Sequence, residues 1–130
     1  MSKSIYSKID RKEKRAYRKM YRKHRKEMIR LAKEDRDFDW SYLHDLVITK
    51  IKHMYEYYNA GNNVWQTDET RIPICVQLNH ILQLQDELDH LYDIDRKFSV
   101  EEVNNLWKKE SELYKAIYTF IGEHIEEWWD

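Results

Sequence analysis

The chain has 130 residues, 42% hydrophobic and 36% charged, with a formal net charge of −1. That length suits one domain with a real core, and two glycines with one proline are too few for a hairpin-rich sheet. No apolar run approaches the ~18 residues of a membrane span, the charged first residues lack the apolar stretch of a secretory signal, and the single Cys75 makes no internal disulfide. The expected setting is reducing and cytoplasmic, without a membrane.

The charge is unevenly placed. Residues 1–34 hold 14 Lys/Arg against 4 Asp/Glu, and residues 35–130 hold 9 against 20. A basic arm, residues 1–36, is therefore expected to precede an acidic body, residues 37–130. Such an arm meets a polyanion such as nucleic acid, or docks on acidic surface of its own body or of a second subunit. Lys14, Arg15, Arg18, Arg22 and Arg25 are the candidate polyanion-binding side chains.

In chain order, Ser7 and Asp10 read as a weak capping box before a first helix. Tyr17, Met20, Tyr21, His24, Met28 and Leu31 then recur at three- and four-residue steps, a narrow apolar stripe on a cationic helix. Asp37 or Asp39 caps a second helix, whose expected core face is Trp40, Leu43, Val47, Ile51, Met54 and Tyr58. Gly61 ends it as a C′ glycine. Thr67, Asp68 and Thr70 are candidate caps for a third helix, with Pro73 expected in its first turn, where the missing N–H is harmless. Its stripe runs through Leu78, Ile81, Leu82, Leu88, Leu91 and Tyr92. Ser99 and Glu102 form a capping box for a fourth helix lined by Val103, Leu106, Trp107, Leu113, Tyr114, Ile117, Phe120, Ile121, Ile125 and Trp128. Gly122 inside it suggests a close helix approach. The acids of "EHIEEWWD" oppose the helix dipole and call for a basic cover, for which the arm is the candidate. The expected fold is an all-α bundle of three to four long helices with a basic N-terminal helix. Its near-heptad seams leave homo-oligomerisation open.

Two patterns bear on metal chemistry. Glu87-x-x-His90 has the ligand spacing of di-iron bundles but occurs once, with His53-x-x-Glu56 and His124-x-x-Glu127 in reversed order. Asp86, Glu87 and Asp89, with Glu123, Glu126 and Glu127, form the acidic set a magnesium-dependent nucleotide hydrolase needs, at spacings that match that class poorly. No cofactor is expected, and charged helix faces are normally solvated. Cys75, among apolar neighbours, reads as a buried residue.

The aromatic loop is more informative. Tyr55, Tyr57 and Tyr58 precede Asn62, Asn63 and Trp65, and Arg71 follows. Rings, amides and one guanidinium suit either a nucleotide pocket or a protein hot spot. The structural alternative is Trp65 folded back as a lid over the bundle end.

The block "DWSYLHDLVITKIKHMYEYYNAGNNVWQ" with the ending "IGEHIEEWWD" resembles a group of small uncharacterised all-helical accessory proteins of tailed bacteriophages, over roughly residues 38–130. The shared features are a W/Y-x-x-L helix start, a K-I/L-K-x-M-x-x-Y/F core and W-W-D. The resemblance implies a phage setting, in which small accessory proteins often act on the host, and the expected protein is a non-enzymatic one in the host cytoplasm. It would self-associate and counter antiviral defence by blocking a host protein or sequestering a small nucleotide signal. The readings from other classes are nucleic-acid binding through the arm and metal-dependent nucleotide hydrolysis.

Overall fold

A computed structural model of the protein describes residues 11–61, 63–93 and 96–130, with side chains from residue 14 onward. The cap expected at Ser7 and Asp10 lies outside the described residues. The fold is an all-α helical bundle, with no strand among the described residues. Its helices are α1 (Arg11–Glu34), α2 (Trp40–Asn59), α3 (Asp68–Asp89) and α4 (Val100–His124), with a 3-10 turn at Ile125–Glu127.

Local chemistry sets the helix ends. Asp39 caps α2: its Oδ1 accepts from the Ser41 N–H at 3.0 Å and the Ser41 hydroxyl at 2.8 Å. Gly61 follows α2 with φ +78°, a left-handed conformation that glycine adopts freely. The Thr67 carbonyl accepts from the Thr70 and Arg71 N–H groups, and the Thr67 N–H donates to Thr70 Oγ1 at 3.0 Å. This cap starts α3 a turn earlier than the proline suggested. Pro73 therefore lies inside the helix and offers no N–H to the Glu69 carbonyl. Both residues are exposed, so water can take the missing bond. Ser99 Oγ accepts from the Glu102 N–H at 3.1 Å, while the Glu102 carboxylate pairs with Arg96 at 2.6 Å.

The chain divides into two compact units. One comprises α1, α2, α3 as far as Cys75, and Asp130; the other is residues 76–129. In the first, Ile48, Ile51, Tyr58, Ile74 and Cys75 are buried, together with His44 and His53. In the second, Leu78, Ile81 and Ile117 are completely enclosed, and Leu91, Leu113 and Trp128 are buried. The Trp128 indole donates to Gln77 Oε1 at 2.8 Å, which satisfies its N–H inside.

The buried face of α2 differs from the expected one. Ile51 and Tyr58 are buried as expected, but Trp40 and Leu43 are 61% and 64% exposed, and His44, Ile48 and His53 face inward in addition. Hydropathy counts histidine as polar, but an imidazole with a partner is an acceptable core group. Gly122 also departs from expectation. A Cβ built there meets nothing within 4 Å, so no close helix approach requires glycine.

The two glycines should respond oppositely to alanine. Gly61→Ala forces a Cβ into positive φ and should destabilise by about 1 kcal/mol. Gly122→Ala lies in the last turn of α4 in open space and should stabilise by about 0.5 kcal/mol. Urea denaturation of both variants checks the signs.

Candidate functional site

The stripe of α1 docks on α2. Tyr17 meets the edge of Tyr57 at 5.9 Å, and His24 stacks on His53 with ring centroids 3.9 Å apart and planes within 10°. The carboxylates cross over. His24 Nε2 lies 2.8 Å from Glu56 Oε2, and His53 Nε2 lies 3.0 Å from Glu27 Oε2. A nitrogen facing a carboxylate carries the proton, so each ring is assigned as the Nε2–H donor. The bond from His53 is the largest influence on Glu27. With the nearby His53, Lys23 and His24, it outweighs burial and holds this carboxyl below its usual range.

These side chains come from a repeated H-x-x-E spacing, His24–Glu27 on α1 and His53–Glu56 on α2. The first copy hides inside the cationic run, which is why the pairing is not evident from sequence. Each imidazole faces a carboxylate of the other helix, and no group of three or more His, Cys, Asp or Glu among the described residues is arranged to hold a metal. At the other metal candidate, Glu87 and His90 are exposed. The His90 ring is 2.8 Å from the Asp86 carbonyl, whose hydrogen bond, aided by the Asp86 charge, raises the His90 pKa.

The opposite face of α1 is cationic. Arg15, Arg18, Arg22 and Arg25 are exposed and Lys14 is half-buried; none forms an ion pair among the described residues. Lys19, Arg22, Lys23 and Lys26 fall on one side of the helix at i, i+3, i+4 and i+7. With Glu27 and Glu56 they line an open groove of about 740 Å³.

The aromatic loop is organised differently from expectation. Tyr58 is 3% exposed, and burial, followed by the charges of Asp130 and Cys75, pushes its hydroxyl up to about 12. Arg71 ties the end of α2 to the start of α3. Its Nη1 donates to the Tyr58 carbonyl at 2.9 Å, and Nε and Nη2 donate to Asp68 at 3.2 and 3.1 Å. Tyr55 is half-buried, and Asn62 lies outside the described residues. The Asn63 amide N and O are both sequestered without a partner among the described residues. Trp65 is 63% exposed, so it does not form the expected lid.

Asp130, which the sequence reading did not single out, holds this loop. Its Oδ1 accepts from the N–H groups of Trp65 at 2.6 Å and Gln66 at 2.8 Å; its Oδ2 accepts from the Val64 N–H at 2.8 Å and from the Tyr57 hydroxyl. Three successive backbone N–H groups on one anion make a nest. Burial alone would raise the Asp130 pKa, but the Tyr57 and backbone bonds together lower it. Another acid of the tail, Glu127, is paired locally: it accepts from Gln77 at 2.8 Å and lies 3.2 Å from His124.

Comparison with known proteins finds no matching family, no matching curated protein and no matching solved structure.

Because the folded-state pKa of Asp130 is lowered, its contribution is complete above the unfolded value of about 3.9 and is lost as pH falls through the folded value below it. Asp130→Asn should cost about 2 kcal/mol at neutral pH. It should also flatten the loss of thermal stability below about pH 3.9. Melting curves of both proteins between acid and neutral pH check this; equal acid sensitivity would refute the assignment.

Proposed function

We propose that the protein is a binding protein that engages a polyanion, with nucleic acid as the favoured class, through the outward face of α1. The supporting observation is a helix with twelve Lys/Arg against three Asp/Glu, docked by one face while its exposed arginines lack ion pairs among the described residues. At about 1.5 Å per residue it is about 36 Å long, and a single helix of this kind fits a duplex major groove. Long cationic side chains on a fixed rod release counterions from a phosphate backbone without reading sequence.

The phage accessory role implied by the resemblance fits within this proposal. The protein would bind a host polyanion or a nucleotide signal stoichiometrically, without turnover, and so counter defence. Self-association is supported by Trp40, Trp65, Trp107 and Trp129, each more than 60% exposed. Of the expected loop contacts, Tyr58 is buried and Arg71 is committed to internal bonds, which favours the α1 face over that set as the main contact surface.

Fluorescence anisotropy with labelled duplex and single-stranded DNA tests the proposal. About six phosphate contacts predict a ~10³-fold fall in affinity between 50 and 200 mM salt. Reversing Arg18, Arg22 and Arg25 to glutamate should weaken binding at least ~100-fold with the helical circular dichroism unchanged. Binding that ignores both salt and charge reversal would sink the proposal. Native mass spectrometry of the same preparations should show a closed oligomer; a monomer at every concentration would remove the self-association.

A further inference from the structure

The contact at Asp130 has the form of a binding site already holding its ligand. Four donors converge on one oxyanion and divide evenly, Trp65 and Gln66 on Oδ1, Val64 and Tyr57 on Oδ2. No Lys, Arg or His among the described residues forms an ion pair with this carboxylate. The attraction therefore comes from fixed backbone dipoles, as in phosphate-binding loops, and depends on the shape of the chain. Two further groups of the same loop are left over. The Asn63 amide has a donor and an acceptor withdrawn from solvent with no partner among the described residues, and the Trp65 ring is 63% exposed. A loop serving only as a connection would have no need to enclose an unsatisfied amide or to present an indole to water.

We propose that residues 63–66 with Tyr57 form an oxyanion-binding site, suited to a carboxylate or a phosphomonoester, which Asp130 occupies in cis as a self-ligand. The contact is autoinhibitory. External affinity equals the intrinsic affinity of the nest scaled by the fraction of molecules in which Asp130 has left it. A phosphomonoester presents three terminal oxygens to the four donors where the carboxylate presents two, which gives it an advantage in displacing Asp130. A ligand that also carries a flat ring has the exposed face of Trp65 to stack on. This site is distinct from the cationic face of α1, so either assignment can fail without the other.

The test follows the backbone amide signals of Val64, Trp65 and Gln66 by NMR in the ¹⁵N-labelled full chain. Wild type and Asp130→Ala are each titrated with sodium acetate, inorganic phosphate and AMP, with sodium chloride at matched ionic strength as the control. In Asp130→Ala the three amides should move together and saturably, at least ten-fold lower in anion concentration than in wild type. Acetate saturating first assigns the site to carboxylates, and phosphate saturating first assigns it to phosphomonoesters. AMP saturating before phosphate, with the Trp65 indole signal moving, adds the stacking contact. Amides that do not respond in Asp130→Ala, that respond equally to chloride, or that behave alike in both proteins would overturn the proposal. If Asp130→Ala loses its helical circular dichroism, Asp130→Asn keeps the side-chain volume, removes the charge and is judged by the same criteria.

Discussion

A helix with twelve cations on twenty-four residues repels itself and has only a narrow apolar stripe for docking. Beside the edge contact of Tyr17 with Tyr57, α1 is tied to α2 by the crossed pairing of His24 with Glu56 and Glu27 with His53, around imidazoles stacked 3.9 Å apart. Four groups that would otherwise prefer water satisfy one another at the helix contact. The pairing also specifies register, because sliding α1 by one residue rotates both of its members away from their partners. The orientation of the cationic face follows: with His24 and Glu27 inward, Arg15, Arg18, Arg22 and Arg25 are left outward. The groove lined by Lys19, Arg22, Lys23 and Lys26 lies directly beside the pairing, since Glu27 and Glu56 belong to both.

The Asp130 contact relates to anions in a different way. The α1 face offers mobile, fully charged side chains whose attraction is long-ranged and screened by salt. The nest of Val64, Trp65 and Gln66 offers rigid partial charges that act only at hydrogen-bond distance. Arg71 supports it by joining the Tyr58 carbonyl to Asp68, which fixes the loop at both ends. An arginine that looked free to meet phosphate is thus part of the frame.

Helix ends were legible because their causes lie within a few residues. Asp39 reaches Ser41, Gly61 adopts its positive φ locally, and Ser99 reaches Glu102. Pro73 was misplaced by one turn because proline marks helix starts only statistically, and the Thr67 cap, which acts through actual hydrogen bonds, set the boundary. The candidate site was legible in part. The cationic residues of α1 could be named from charge alone, whereas His53 was visible only as half of an imperfect ligand motif.

The sequence by itself determined the all-α class, the main helix ends and the segregation of positive charge, all of which follow from composition, periodicity and short-range bonding. Tertiary structure decided which face of α2 is buried, that Trp65 stands in solvent, and that Asp130 closes the loop. The physical reason is separation along the chain. Asp130 meets Val64, Trp65 and Gln66 across more than sixty residues, and His53 meets Glu27 across twenty-six. Neither partner carries a local signal for the other, so such bonds exist only once folding has brought them together.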